Sequence, residues 1–289
     1  MPVREVASKD NTRLKELRRA LVRPARGLAG IEGIHLVQEA LRAGLRLQAV
    51  FVARGAEPMV NALPLPPETE ILLVPKKLLD AALATETPQP VAALVEMPQW
   101  SWRHILQQDQ KETLVIVLAG LQDPGNLGTI LRSSEAFAAS GVVSLPGTVC
   151  AWNPKAVRAS AGSVFRVPVL AASQQECLET MRAAGLRILA TAVRNAEPAT
   201  QAGLSGPVAL VIGNEGNGLP EELAKQADAR ITIPCPGPVE SLNAAVAASV
   251  LLYEAARQRA VSNSHSFSPA ASRGHESPGR PGGKRGGRR

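Results

Sequence analysis

Apolar positions along this chain switch repeatedly between helical and strand-like spacing. Between Ser8 and Arg26, Leu14, Leu17, Leu21 and Val22 recur at helical intervals, with Arg13, Lys15, Arg18, Arg19 and Arg23 around them. This predicts a basic helix that stops near Pro24, where the ring blocks continuation. The following pattern predicts a helix over Ile34–Ala43, strands over Leu47–Ala53 and Glu70–Val74, a helix over Lys76–Leu83 and a strand over Val91–Glu96. Alternation of this kind predicts a small α/β domain over residues 27–98, preceded by a basic arm, residues 1–26.

Residues 99–112 are a linker, whose Trp100 and Trp102 are expected to pack against a domain surface rather than stack on bases. A second domain, residues 113–261, opens with Thr113–Ala119, an unbroken aliphatic run that predicts a strand buried on both faces. A turn over Asp123–Asn126, a helix to Ser140 and a strand over Gly141–Leu145 follow. Helices are then expected over Pro154–Ser160 and Gln174–Ala184, and strands over Arg187–Ala192 and Pro207–Ile212. A helix over Pro220–Gln226, a strand over Arg230–Ile233 and a long final helix capped by Ser241 complete the series. The fold class is therefore α/β, with a parallel sheet covered on both faces and any ligand at the carboxyl ends of its strands. From residue 262 to 289 apolar periodicity disappears among Ser, Pro, Gly and Arg, which predicts a disordered basic tail.

With aromatics at only 3%, the core must be built from Leu, Val, Ile and Ala. There is no run of 18 uncharged apolar residues, and the first 26 residues are charged throughout, so a cytoplasmic protein without membrane contact is expected. Cys150, Cys177 and Cys235 share no ligand spacing with the four histidines, and neither a disulfide framework nor a metal site is expected. The net charge of +7 is unevenly placed. Residues 1–26 carry eight basic and three acidic side chains, residues 262–289 six and one, so the ends are basic and the middle slightly acidic. Basic ends on a near-neutral body point to a polyanion, with nucleic acid the first candidate.

Three loops, each after a buried strand, carry the chemistry. In Leu121–Arg132, Asn126 is expected to cap a helix and Arg132 to lie about one turn in, so that helix amides and guanidinium together form an anion site. Ile212–Pro220 holds Gly213, Gly216 and Gly218 around Glu215, in an order that is neither a dinucleotide fingerprint nor a P-loop. Such glycine density serves close approach of backbone to a ligand. The third loop, Ile233–Asn243, contains Pro234, Pro236 and Pro238 around Gly237, which removes three donors and locks one shape. Along the helix behind it, Leu242, Val246, Val250 and Tyr253 form a stripe read as core or subunit interface.

Taken together, Asn126-x-Gly128-x-x-x-Arg132, Gly213-Asn-Glu215-Gly-x-Gly218-Leu and Ile233-Pro-x-x-Gly237-x-Val-Glu240-Ser241-Leu242-Asn243 resemble the three motifs of the SpoU (TrmH-type) RNA ribose methyltransferases of the SPOUT superfamily. Residues 27–98, with Glu32-Gly33-x-x-Leu36-Val37-x-Glu39-Ala40-Leu41, resemble the family's substrate-binding domain of ribosomal-protein-like fold. Ala245 departs from the pattern, since a serine is common there.

The resemblance implies a deep trefoil knot in the second domain, S-adenosylmethionine as cofactor and a homodimer built on the final helix. It implies methyl transfer to a ribose 2′-hydroxyl of RNA, most directly 23S-type ribosomal RNA. Transfer RNA as substrate and a catalytically silent RNA-binding factor are the alternatives. Carried over by position, the catalytic residues are Arg132, Asn126, Glu215, Ser241 and Asn243, and the cofactor contacts Gly213, Ile233, Leu242, Pro234 and Gly237. The resemblance makes Arg132 the activating residue, a base acting through a phosphate; a guanidinium is a poor base at neutral pH, so the role preferred on chemical grounds is to hold phosphate and stabilise the developing alkoxide. A displacement of this kind needs no metal and no covalent nucleophile.

Overall fold

The computed structural model describes residues 3–25, 27–83, 85–106, 112–214, 216, 218–239 and 241–266. The first half contains β1 (Val3–Glu5), α1 (Thr12–Val22), β2 (Leu28–Glu32), α2 (Ile34–Arg42), β3 (Leu47–Ala53), α3 (Pro58–Asn61), β4 (Glu70–Val74), α4 (Lys76–Leu83) and β5 (Val91–Glu96). Its five strands pair in the order β1-β4-β3-β5-β2, parallel at β1-β4-β3 and antiparallel at β3-β5-β2. The α/β expectation holds, with two strands more than the sequence pattern predicted.

Helix α1 is shorter than expected because Asn11 caps it, its side-chain oxygen accepting from Leu14 N at 3.1 Å, and because Arg23 leaves helical geometry just before Pro24. Leu14, Leu17, Ala20 and Leu21 are buried beneath it. The helix lies directly on β2: a Cβ at Gly30 would sit 2.7 Å from Leu21 Cγ and 2.8 Å from Leu21 N. Gly30 is thus needed for the packing, and it also interrupts the strand-like run.

The second half contains α5 (Trp102–Leu106), β6 (Leu114–Leu118), α6 (Pro124–Ala136), β7 (Gly141–Ser144), α7 (Pro154–Ala159), β8 (Val169–Ala171), α8 (Gln174–Ala183), β9 (Arg187–Thr191), β10 (Glu197–Pro198), β11 (Val208–Ile212), α9 (Glu221–Lys225), β12 (Ala229–Thr232) and α10 (Ala244–Ser266). Seven strands form a parallel sheet in the order β10-β12-β9-β11-β6-β7-β8. Every residue of β6 and β11 is buried, as apolar runs covered on both faces require. From β6 the order runs outward through β7 and β8, and the chain then crosses to fill the other side. That reversal opens a crevice at the strand ends.

The linker carries α5, whose Trp102 packs on the sheet's outer cluster and donates its indole N–H to Glu176 at 2.9 Å, in line with the packing role expected for the tryptophans. Helices α6 and α7 meet so closely that a Cβ at Gly128 would lie 2.5 Å from Ala156 O. This accounts for Gly128 as a packing residue. At the far end, Arg259 of α10 donates to the carbonyls of Leu204, Gly206, Glu112 and Thr113, tying the helix to the starts of β6 and β11. The helix continues to Ser266, past the start of the tail expected at residue 262; residues 267–289 lie outside the described residues.

The two halves share one apolar cluster, which runs from Ile31, Val37 and Val95 through Leu127, Val157 and Phe165 to Leu251. An ion network closes its rim. Arg166 donates to Glu135 and, at 2.9 Å, to Glu39 of α2, which also accepts from Arg42. Burial by itself would raise the Glu39 carboxyl, but the guanidiniums of Arg42 and Arg166 outweigh it and hold the group below its usual range. Glu135 is lowered chiefly by its hydrogen bond from Arg166. Both folded values are depressed, so their contribution is complete above the ordinary carboxylate range and is lost as pH falls through the folded values. Arg166→Gln is expected to cost about 1–3 kcal/mol at neutral pH and to flatten the loss of stability below about pH 4.5. Melting temperatures of both proteins between pH 7 and 3 check this; parallel curves would refute it.

Candidate functional site

At the carboxyl ends of β9, β11 and β12 three loops enclose a cavity of about 700 Å³. Its walls are Thr191–Arg194 after β9, Gly213, Asn214, Gly216, Gly218 and Leu219 after β11, and Ile233, Pro234, Cys235, Val239, Ser241 and Leu242 after β12. Ala244, Ala247 and Leu251 of α10 form the floor. The volume suits a nucleoside-sized molecule.

The β11 loop folds back on itself. Asn214 N donates to Gly218 O at 2.9 Å and Gly218 N to Asn214 O at 3.0 Å, while the Asn214 side chain donates to Gly120 O at 2.7 Å and accepts from Gly216 N at 2.8 Å. Asn214 therefore pins the loop to the end of β6. Gly213 faces the returning strand of this loop so closely that a Cβ would lie 2.4 Å from Gly218 C. Gly218, at φ +66°, makes the turn in the left-handed region. The glycine density thus has a stated use: it brings bare backbone to the cavity wall.

Two expected caps move. Asp123, not Asn126, caps α6: its carboxylate accepts from Gly125 N at 2.6 Å and pairs with Lys155 Nζ at 3.2 Å. That backbone hydrogen bond, with Lys155 second, lowers the Asp123 carboxyl below its ordinary value. The expected turn over Asp123–Asn126 is instead the first turn of the helix, since Pro124 fits its start. The anion site expected at this helix start is corrected as well, because Asp123 already occupies the amides that phosphate would need. Arg132 lies about two turns into α6 rather than one, exposed, and is not part of the cavity lining. At α10 the cap is Asn243 and not Ser241: Asn243 Oδ1 accepts from Ala245 N at 2.9 Å, and the helix begins at Ala244.

These shifts bring two expected residues together. Asn243 Nδ2 donates to Asn126 Oδ1 at 3.1 Å, joining the first turns of α6 and α10 beside the cavity. One helical stretch further on, the hydroxyls of Ser133 and Ser249 meet at 2.7 Å and hold the same two helices. Of the expected cofactor contacts, Gly213, Ile233, Pro234 and Leu242 line the cavity, whereas Gly237 does not. Ser241, expected as catalytic, lines it too. Glu215 and Glu240 lie outside the described residues. The Thr191–Arg194 wall was not singled out by sequence; its only signal was its place after a buried strand.

The architecture now meets its relatives. A family model described as the SpoU rRNA Methylase family matches residues 113–253, and an MRM3-like substrate binding domain matches residues 11–93. The 23S rRNA (guanosine(2553)-2′-O)-methyltransferase RlmP of Bacillus subtilis is 31% identical over 87% of this chain and 98% of its own length. The chain belongs to the SpoU rRNA methylase family. Among solved structures, the AdoMet-bound rRNA methyltransferase from Sinorhizobium meliloti superposes with a TM-score of 0.75 at 31% identity, covering 88% of this chain and 98% of that one. AviRb from Streptomyces viridochromogenes, a SpoU methyltransferase in complex with AdoMet, gives 0.75 at 28% identity, with 86% and 98% covered. Membership accounts for the motifs that line the cavity, and both of these relatives were solved with the same methyl donor.

Proposed function

We propose that this protein is an S-adenosylmethionine-dependent RNA methyltransferase that methylates a ribose 2′-hydroxyl of 23S-type ribosomal RNA. The observation that carries the reading is the 700 Å³ cavity enclosed by three loops at the ends of β9, β11 and β12, with the Asn126–Asn243 contact beside it. A methyl donor fits such a site: the adenosine needs an enclosed slot, and Gly213, having no side chain, lets the β11 loop fold back tightly on itself at the wall of that slot. When bound, S-adenosylmethionine supplies an electrophilic methyl group.

The protein's part is to hold and to orient. Gly213, Ile233, Pro234 and Leu242 bound the adenosine side, and Gly237, outside the cavity lining, lies in the loop between Pro234 and Leu242. Asn126, Ser241 and Asn243 orient the ribose at the rim, and Glu215 belongs to the same catalytic group. Arg132 holds phosphate and stabilises the negative charge that develops as the hydroxyl passes its proton to solvent water, since a guanidinium keeps its own proton at neutral pH. Bringing hydroxyl and methyl into line accounts for much of the rate, by roughly 7–11 kcal/mol in favourable cases.

The trefoil knot belongs to the same reading. It is supported by the return of the chain from β12 at one side of the sheet to α10, which packs on α6, by way of the loop over Ile233–Asn243. A homodimer is supported by the stripe on α10, where Val246, Val250 and Tyr253 are 48%, 40% and 56% exposed and Phe137 stacks edge-on against Tyr253 at 6.0 Å. Sedimentation checks the assembly. No helix among the described residues is long and apolar enough to cross a membrane, which fits work on RNA in the cytoplasm.

The test is transfer of labelled methyl from S-adenosylmethionine to purified ribosomal and transfer RNA, followed by alkaline hydrolysis, which spares a 2′-O-methylated linkage. Label in resistant dinucleotides of ribosomal RNA is expected. Label in transfer RNA alone would favour that substrate, and cofactor binding without transfer to either would favour a silent RNA-binding factor.

A further inference from the structure

Helix α1 carries a charge pattern that the cavity does not use. Its buried line, Leu14, Leu17 and Leu21, leaves an outward face on which Lys15, Arg18, Arg19 and Val22 are linked by spacings of three and four, and Arg23, the extended residue that ends the helix, continues the basic run. The neighbouring acids are drawn to its flanks. Arg13 binds Glu16 at 2.8 Å and Glu70 at 3.1 Å, Arg4 binds Glu70 at 3.1 Å, and Lys15 alone on the face has a partner, Asp10 at 2.7 Å. Arg18, Arg19 and Arg23 are exposed, and among the described residues no carboxylate pairs with them. Val22, 80% exposed, sits between them and offers apolar surface to their stems.

We propose that this face of α1 is a docking surface for the phosphate backbone of the substrate RNA. The inference rests on the methyltransferase reading and adds to it the place where the nucleic acid is held away from the reacting ribose. Three unneutralised guanidiniums within six residues concentrate positive charge at the end of the helix, and a polyanion relieves the repulsion among them. Arginine presents a planar fork suited to phosphate oxygens. The backing is firm, since the contact at Gly30 fixes the helix to β2 and keeps the face in one orientation. A lipid surface fits less well, because an interfacial helix inserts its apolar side, and here that side is buried in the protein.

The experiment uses the full chain and a fluorescent ribosomal-RNA fragment, with affinity measured over a range of KCl concentrations. Glutamine and arginine have similar helix propensity, so the triple variant Arg18→Gln, Arg19→Gln, Arg23→Gln keeps the helix. It is expected to reduce the slope of log affinity against log salt by about 3, to leave the melting temperature in place and to leave S-adenosylmethionine affinity unchanged. The corresponding triple lysine variant is expected to keep most of the slope, and Arg18→Gln alone to lower it by about 1. A wild-type slope in the folded glutamine variant overturns the proposal, as does a lysine variant that loses as much as the glutamine one. If the unaltered protein binds S-adenosylmethionine but no RNA, the methyltransferase reading itself fails, together with this one.

Discussion

Replacing Arg132 by alanine is expected to cut methyl transfer to RNA by about 10²–10³-fold, the range for removing one donor aimed at a developing negative charge. Cofactor affinity should stay within about twofold, because Arg132 is exposed on α6 and lies outside the cavity lining. The separation between the two effects is what identifies the role. A residue that held the cofactor would weaken binding and rate together, and a structural residue would lower the melting temperature, yet an exposed helix position changes stability by about ±0.5 kcal/mol. Arg132→Lys should fall between, since lysine keeps the charge but lacks the planar fork. Single-turnover transfer and calorimetric titration with S-adenosylmethionine measure both quantities, and a fully active Arg132→Ala protein would remove Arg132 from the mechanism.

The second large effect is expected at Gly213. A methyl group there would lie 2.4 Å from Gly218 C, 2.6 Å from Gly218 O and 2.6 Å from Leu219 N. All three are backbone atoms of a loop anchored by Asn214 to Gly120, so none can swing away as the end of a side chain does. Gly213→Val must open the loop, at about 1–3 kcal/mol of overpacking, and should lower affinity for S-adenosylhomocysteine by more than tenfold, about 1.4 kcal/mol. Gly216→Ala, in the same loop, is the control: its Cβ would meet only Asn214 Oδ1 at 3.5 Å. It should bind as the unaltered protein does. Equal affinity in Gly213→Val would mean that this wall does not touch the cofactor.

Much of this was legible in the sequence where local pattern and tertiary role coincide. The strands β3, β4, β5 and β6 are predominantly apolar runs largely buried in the sheets, broken only by Gln48 within β3 and by Glu70 and Glu96 at the ends of β4 and β5, and their limits agree with the periodicity within a residue. Strand β2 escaped because the contact that stabilises it requires Gly30, the residue that breaks its pattern. Strands β8 and β10 are three and two residues long, too short for a period to register.

The caps were misplaced for another reason. Asp, Ser and Asn all suit a helix start, and only the path of the chain decides between Asp123 and Asn126 or between Ser241 and Asn243. In the candidate site the motifs pointed to Gly213, Ile233, Pro234, Ser241 and Leu242, which line the cavity, while the β9 loop carried no local signature at all. Nor could spacing reveal that Glu39 meets Arg166, two residues brought together only by the contact between the halves.

That contact also governs how the molecule melts. Because a single apolar cluster extends from β2 and α2 to α10, neither sheet can lose its packing without exposing the inner face of the other. Heat should therefore take both halves apart in one cooperative event, with calorimetric and van't Hoff enthalpies in agreement, and damage in the half built on β1–β5 will register as lost thermal resistance around the cavity at the ends of β9, β11 and β12.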